Sequence, residues 1–318
     1  MNNELVTIGI TCFNAENSIV RAINSAIKQD WQNIEILIVD DVSNDNSVEL
    51  VEKVIQNDNR ARLIKHTVNK GPAGARNTII KEAKGGYIVF FDDDDESLAI
   101  RVSEQVNCIK KYQQNNNTDL IACYASGVRY YNNGYELALP AIGSRNEGVK
   151  GNLVAHYLLF FEKRKNVFYG SGTPTCSLCA RTDTFKQLGG FDESLRRVED
   201  ADFAVRLSLK GGVFIGTKKL SFIQYSTQAK DKSYEKNLES EQILIRKHQN
   251  YLKSVNRFYY ALHWPKLRYW HFKKKYGCFL LTFLGLIVRN PLITLSHIFV
   301  TGPARLLHEY KMTKNENL

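Results

Sequence analysis

Gly86-Tyr87-Ile88-Val89-Phe90-Phe91-Asp92-Asp93-Asp94-Asp95 runs from an apolar, β-branched and aromatic stretch straight into four carboxylates. The apolar part is too short for a helix and reads as a buried strand. Four like charges in a row repel one another and are costly to crowd unless something neutralises them. A divalent cation does so, and Mg²⁺ or Mn²⁺ takes one or two carboxylates together with phosphate oxygens. In extended chain, residues two apart share a side, so Asp92 and Asp94 are the pair expected to share a cation, with Asp93 and Asp95 supporting or solvated. A solvated acidic turn is the competing reading.

Upstream, Leu5 to Ile10, Ile34 to Val39 and Arg62 to Lys65 read as three more strands, separated by helices over Ser18 to Gln29 and Val48 to Ile55. A third helix, Ala73 to Ala83, precedes the acidic strand. Ile19, Ala22, Ile23, Ala26 and Ile27 carry the helical spacing of the first. Strands alternating with helices imply βαβ units, hence an α/β, Rossmann-like fold with a mostly parallel sheet covered on both faces. Downstream, helices are expected over Ala99 to Tyr112, Leu153 to Phe161 and Glu199 to Lys210, and from near Tyr234. Strands are expected near Leu120 to Tyr124 and Cys176 to Arg181, with two short ones at Val213 to Ile215 and Ser221 to Tyr225. Asn133-Gly134 between tyrosines suggests a type I′ hairpin turn, and residues 140–150 a loop.

Open α/β sheets bind ligands beyond the carboxyl ends of their strands. Thr11, Phe13, Asn14 and Glu16 follow the first strand, and Asp40 and Asp41 the second. Asn69 to Asn77, with Arg76, follows the third, and the four aspartates follow the fourth. These ends face one crevice.

The order of these stretches resembles family 2 glycosyltransferases. Thr7-Ile8-Gly9-Ile10-Thr11-Cys12-Phe13-Asn14-Ala15-Glu16 resembles their opening. Ile36-Leu37-Ile38-Val39-Asp40-Asp41-Val42-Ser43-Asn44-Asp45 resembles their second motif, and Asn69-Lys70-Gly71 through Ala75-Arg76-Asn77 their third. Residues 86–95 are similar to the strand ending in their D-x-D motif. Gly189-Gly190-Phe191-Asp192-Glu193, then Glu199-Asp200 and Arg206-Leu207, resembles their acceptor-side segment. The resemblance spans about residues 5–225, and five motifs in order are far more specific than any one.

It implies a GT-A fold and an inverting, metal-dependent transfer of a hexosyl or N-acetylhexosaminyl unit from a nucleotide-sugar donor, a UDP-sugar first among them. It implies that Thr11, Phe13 and Asp41 hold the base, Phe13 by stacking and Asp41 by accepting from the base N–H. Glu16 and Arg76 would line the nucleotide, Arg76 near its phosphates. Asp94 would ligate Mn²⁺ or Mg²⁺, with Asp92 contacting ribose, metal or metal-bound water. Asp200 would be the general base, with Glu199 or Asp192 orienting the acceptor.

The chemistry is consistent with those roles. A nucleoside diphosphate gains negative charge as it leaves, which a cation stabilises. A sugar hydroxyl is a weak nucleophile and needs a carboxylate to take its proton. Acids are favoured at a helix N-terminus, where Asp200 falls. One base without a covalent nucleophile implies inversion. The Q-x-x-R-W signature of processive synthases is absent, so one sugar is expected to move. Gln224-Tyr225-Ser226-Thr227-Gln228 stands where many relatives carry a metal- or diphosphate-contacting histidine, which leaves the third metal ligand open.

The 318 residues suffice for one large α/β domain and an appendage. A catalytic domain over 1–230 is expected, with a nucleotide-binding half at 1–115 and an acceptor half at 116–230. Lys and Arg number 43 against 33 Asp and Glu, and eleven of the bases lie in residues 246–308, which hold no acid. The net charge of +10 therefore belongs to the tail.

In that tail, 231–318, Phe258, Tyr259, Tyr260, Trp264, Tyr269, Trp270 and Phe272 alternate with Lys266, Arg268, Lys273, Lys274 and Lys275. The apolar runs Gly277 to Val288 and Leu292 to Val300 are each too short to span a bilayer. Aromatic and basic residues beside short apolar stretches suit a helix lying in the membrane interface over 258–300, drawn to anionic headgroups. Packing on the catalytic domain or a homodimer contact is the alternative. No nucleic-acid-binding motif accompanies the charge, so no nucleic-acid partner is expected.

The six cysteines include one C-x-x-C pair, Cys176 and Cys179, with no second pair to complete a zinc site. They read as small buried apolar side chains of a reducing compartment. Met1-Asn2-Asn3-Glu4 lacks the features of a secretory signal. The expected location is cytoplasmic, peripheral on the inner face of the cell membrane, with a lipid-linked or surface-glycan acceptor. A nucleotidyltransferase would carry a Gly-rich basic loop after the first strand, and an NAD enzyme a G-x-G-x-x-G; neither is present. A catalytically silent sugar-nucleotide or membrane-binding protein remains the alternative from another class.

Overall fold

The computed structural model describes residues 4–145, 147–226 and 233–314. The chain divides into two compact units. The first comprises Met1–Tyr131, Glu136–Val154 and Lys165–Thr227; the second comprises Asn132–Tyr135, Ala155–Arg164 and Gln228–Leu318.

The first unit begins with β1 (Val6–Cys12), α1 (Ile19–Ile27), β2 (Ile34–Asp40), α2 (Ser47–Ile55), β3 (Ala61–Lys65), α3 (Gly71–Glu82) and β4 (Tyr87–Asp92). Next come β5 (Glu96–Ser97), α4 (Arg101–Asn115), β6 (Ile121–Tyr130), β7 (Glu136–Leu139) and β8 (Val149–Lys150). Then follow α5 (Leu153–Phe160), which runs on into the second unit, β9 (Leu178–Arg181), α6 (Thr182–Leu188), α7 (Glu199–Leu209) and β10 (Val213–Tyr225). The main sheet order is β3-β2-β1-β4-β9-β6-β10-β5. The first four strands are parallel. β9 is antiparallel to both β4 and β6, and β6 and β10 are parallel again.

The strand alternation explains both layers. Ile8, Ile10, Ile36, Ile38, Val89 and Phe91 point into one core with Ile19, Ile23, Val51 and Val106 from α1, α2 and α4. On the opposite face of β1, α3 crosses so closely that a Cβ on Gly9 would lie 2.5 Å from Ile79 Cγ2. On β4, Phe90 meets the edges of Phe185 and Phe191, and Phe203 of α7 stacks on both. This aromatic cluster fastens α7 to the end of β4.

Three expectations are corrected. The two short strands at 213–225 are one strand, broken in register between Gly216 and Leu220 and between Leu220 and Phe222. The hairpin turn is not type I′, which needs positive φ at both central residues. Gly134 has φ 75° while Asn133 does not, and five residues separate β6 from β7. Helix α6 has no counterpart in the sequence reading: its short run Thr182–Leu188 carries little apolar periodicity, and it ends on Gly189 in the left-handed conformation.

The second unit holds α8 (Tyr234–Lys247), α9 (Gln249–Ser254), α10 (Phe258–Phe272), α11 (Tyr276–Arg289) and α12 (Pro291–Lys314). Its centre is the buried imidazole of His297, stacked on Trp264 and Phe161 and 2.6 Å from the Tyr260 hydroxyl. Among the described residues no helix is long and apolar enough to cross a membrane. Leu281, Val288 and Leu292 on α11 and α12 are 74%, 80% and 85% exposed.

Candidate active site

The ends of β1, β2, β3 and β4 converge as the crossover rule requires. Thr11 is the register partner of Asp92, and Cys12 that of Asp40. Phe13 is the exposed aromatic of the site, and its N–H donates to Asp93 Oδ2 at 2.9 Å. Asn14 follows with φ 51°. Glu16 turns away from this edge: its carboxylate accepts from Asn46 N, and its own N–H donates to Asp45.

Asp41 is buried and already fully engaged. It accepts from Lys70 N at 2.8 Å and Gly71 N at 2.7 Å, and His66 Nδ1 lies 2.8 Å away. Gly71 has φ +74°, a backbone conformation that favours glycine. Asp41 thus holds the loop that starts α3. Its neighbour Asp40 gives Oδ2 to Val42 N and Ser43 N, while Oδ1 is buried without a partner among the described residues. Sequence reasoning misses His66, although its place as the first residue past β3 is the kind of signal that could find it.

Arg76 of α3 is buried. Its Nη1 lies 2.5 Å from Glu199 Oε1 and its Nη2 3.7 Å from Asp92 Oδ1. Burial opposes the charge, but Asp92 and Glu199 more than offset it, and the guanidinium's pKa stands above its ordinary value. Its Nε is buried without a partner among the described residues.

Glu199 and Asp200 open α7, behind Val198 at φ 58°. A β-branched residue there is strained, and the strain sits immediately before the two acids. Burial pushes the Asp200 carboxyl up to about 6, with Glu199 and then Asp92 adding to the rise, while the Ala201 N–H and Arg76 oppose it. Tyr124 is a further site residue that the sequence does not flag: its hydroxyl is buried without a partner among the described residues, within the electrostatic reach of Asp200. Asp192 instead closes a local turn, accepting from Ser194 N and Oγ.

The acidic run does not behave as four equivalent groups. Asp92 ends β4 half-exposed. Asp94 is half-buried and gives its backbone carbonyl to Arg21. Asp95 is buried, which corrects the solvated reading of it, and burial pushes its pKa up to about 8, aided by Asp92 and Asp94. Among the described residues, the acids and thiols near enough to share one cation are Asp92, Asp95 and Cys176, with ligand atoms within 4.8 Å of one another. Asp95 Oδ2 is buried and has no hydrogen-bond partner among them. That orphan is what a cation would satisfy, so the residues present fit a divalent ion.

Cys176 lies in the turn Thr175–Ser177 that leads into β9. The cysteines are all free, and Cys278 is exposed, contrary to the expectation that all are buried. Beneath the acids, Arg101 is wholly buried and donates to Phe90 O, Cys176 O, Ser97 Oγ and Gln105 Oε1. Gln224 of β10 reaches the same place. Thr227 and Gln228 of the expected histidine segment lie outside the described residues.

The fold is that of the GT-A glycosyltransferases. Staphylococcus aureus TarS 1–349 in complex with UDP superposes with a TM-score of 0.59 at 20% identity, over 86% of this chain and 73% of that one. The TarS 1–349 complex with UDP-GlcNAc gives 0.60 at 19% identity, over 84% and 73%. The family model described as Glycosyl transferase family 2 matches residues 7–182, and this chain belongs to that family. Its relatives include two Escherichia coli UDP-Glc:alpha-D-GlcNAc-diphosphoundecaprenol beta-1,3-glucosyltransferases. WfaP is 41% identical over 104 residues, which cover 33% of this chain and 41% of that protein. WfgD is 39% identical over 112 residues, covering 35% and 43%. The chain thus aligns with less than half the length of either.

Proposed function

We propose that this chain transfers one sugar, with inversion, from a nucleotide-diphospho-sugar, a UDP-sugar for preference, to a hydroxyl of a lipid-linked or cell-surface glycan precursor. The observation that carries this reading is the line Asp92–Arg76–Glu199–Asp200: a strand-end acid, a buried guanidinium and a pair of acids at a helix N-terminus. A carboxyl raised to about 6 is poised to take a proton from a sugar hydroxyl near neutral pH. Arg76 lies between that base and the acid-rich edge, where a diphosphate and its cation would sit. When bound, the cation stabilises the charge that develops on the departing diphosphate.

In this reading Thr11, Phe13 and Asp41 surround the base, Phe13 offering its exposed ring for stacking. Asp41 acts there through the loop it fastens as much as by direct contact. Arg76 and Asp92 face the phosphates and ribose, with Glu16 supporting the loop edge. Mn²⁺ or Mg²⁺ is held at the end of β4, with Asp92 as one ligand and Asp94 as the second expected from the resemblance. Asp200 is the base, Glu199 and Asp192 act on the acceptor side, and no nucleic acid is involved.

The catalytic domain is residues 1–230, and the tail 231–318 rests on the inner face of the cell membrane. Support for the tail reading is the exposed apolar row on α11 and α12 beside Lys273, Lys274, Lys275 and Arg289. The relatives' undecaprenol-linked acceptors agree with a membrane-bound substrate.

The test is a panel of nucleotide sugars with Mn²⁺ or Mg²⁺, reading nucleoside diphosphate release with membrane extract as acceptor. Release with one donor is expected. No release with any donor overturns the reading.

A further inference from the structure

We propose that Asp92, Asp95 and Cys176 form a mixed carboxylate–thiolate site for a divalent transition-metal cation of the Mn²⁺, Co²⁺ and Zn²⁺ class, and that this site discriminates against Mg²⁺. The proposal rests on the reading above for the cation's use and departs from it in the ligands, with Asp95 and Cys176 in place of Asp94, and in setting Mg²⁺ aside.

Three observations carry it. The first is the unmet acceptor. Asp95 is 4% exposed; Gln224 hydrogen-bonds its side chain, but its Oδ2 has no partner among the described residues. The nearby cation Arg101 does not supply one, because its nitrogens are directed to Phe90 O, Cys176 O, Ser97 Oγ and Gln105 Oε1. Arg76 Nη1 is directed to Glu199, and its Nη2 faces Asp92. A buried carboxyl oxygen left without a partner is costly, and burial has already pushed this group towards its neutral form.

The second is distance. Atoms bound to one cation at about 2.0–2.3 Å lie at most about 4.6 Å apart. In a tetrahedron those bond lengths put ligand atoms about 3.3–3.8 Å apart, and the three atoms already lie within 4.8 Å of one another, so side-chain rotation of about 1 Å is enough to complete the set. Asp92, the most exposed of the three, leaves the remaining positions of the cation open towards the crevice, where phosphate oxygens or water can enter.

The third is how the thiol is held. Arg101 Nη2 donates to both Phe90 O and Cys176 O, which ties the turn before β9 to the end of β4. Gln224 Nε2 donates to Cys176 Sγ at 3.3 Å. That amide's orientation is fixed from its other side, since Arg129 Nε and Nη2 both donate to Gln224 Oε1. An Arg–Gln–Cys chain of this kind orients a metal ligand; burial and the neighbouring Asp92 and Asp95 hold the free thiol well above its ordinary pKa, so a bound cation would displace its proton. Cys179, three residues on, lies wholly inside the core and takes no part.

The donor set decides the metal class. Mg²⁺ binds oxygen ligands in a strict octahedron, whereas a thiolate selects borderline ions such as Co²⁺ and Zn²⁺, with the harder Mn²⁺ expected to bind more weakly than these.

The experiment uses the full chain with the exposed Cys278 replaced by Ser, stripped with chelator and titrated with Co²⁺ alone. A near-ultraviolet thiolate-to-cobalt charge-transfer band is expected at one equivalent, and is expected to vanish in Cys176→Ser. Mn²⁺ affinity, read by paramagnetic resonance, is expected to fall about tenfold to a hundredfold in Cys176→Ser and in Asp95→Asn, with Mg²⁺ competing only weakly. Co²⁺ bound without the band in the otherwise unaltered chain overturns the proposal, and that arm needs no site variant to fold. So does a folded Cys176→Ala protein that keeps its Mn²⁺ affinity while Asp94→Ala loses it, which would return the cation to Asp94. Each of these results leaves the donor panel free to succeed, so the metal site and the transferase reading fail separately.

Discussion

Arg76 and Glu199 form a buried ion pair, 2.5 Å from Nη1 to Oε1, that joins the N-terminal half of α3 to the first residue of α7. The two residues lie 123 positions apart in the sequence. Breaking such a pair leaves one buried charge uncompensated, which costs about 3–5 kcal/mol. Glu199→Ala is expected near the lower end, because Asp92 remains 3.7 Å from the guanidinium. In chemical denaturation, Arg76→Leu with Glu199→Leu should lose clearly less than the sum of the two single variants. Strict additivity would mean that the pair does not interact in solution.

Asp200 carries the pH expectation. Its carboxyl is raised to about 6, first by burial, so as the proposed base it is protonated and idle well below that pH and ionised above it. Transfer should rise with pH through an apparent pKa near 6 and level off above it. Asp200→Asn should cost about a hundredfold to ten-thousandfold in turnover, with donor affinity retained. The sign for stability is opposite. A carboxyl raised in the folded state binds its proton more tightly than in the unfolded chain. Its contribution is therefore favourable below the unfolded carboxylate pKa and is lost as pH climbs through about 6.

Val42 and Val198 sit at φ 68° and 58°, where a β-branched side chain is strained by about 1–2 kcal/mol. Val42→Gly removes that strain at the expense of chain entropy, and keeps the N–H that donates to Asp40. A net gain of about 1 kcal/mol is expected, visible as a melting temperature higher by about 2 °C. An unchanged or lower melting temperature would show that the valine's packing outweighs its backbone cost.

On α11 and α12, the triple variant Leu281→Ser, Val288→Ser and Leu292→Ser should abolish co-sedimentation with anionic lipid vesicles while the protein stays folded. Deleting 273–318 should do the same. Persistent binding by both would place the membrane contact elsewhere. A change of oligomeric state in the triple variant would mark the face as a contact between copies.

Strand-end logic makes much of the site legible, because β1 to β4 are parallel and sequential, so the loops leaving their carboxyl ends lie side by side. Asp92 and Arg76 are found this way, and Asp200 by its place at a helix start. The residues that escape it depend on a chain reversal. Cys176 reaches Asp92 and Asp95 only because β9 inserts antiparallel beside β4, and nothing in the residues before Leu178 marks that insertion. Asp95 reads as solvated because a run of like charges looks exposed; Arg101, Cys176 and Gln224 bury it, each distant in sequence from the next. His66 falls just ahead of the Asn69 to Asn77 stretch and carries no motif of its own. For Asp41 the resemblance implies a base contact, and its three partners within the chain emerge only from the loop geometry.

The placement of β9 also sets a schedule. Until Leu178–Arg181 has left the ribosome, β4 has one neighbour, β1, and an open edge ending in acids. At ordinary elongation rates of about 5–20 residues per second, that edge waits on the order of ten seconds for its partner. A half-finished sheet of this kind offers a strand edge to other chains, and the like charge of Asp92 to Asp95 opposes such pairing. The same carboxylates that are proposed to gather a cation in the finished protein would thus act earlier as a guard on an unclosed seam.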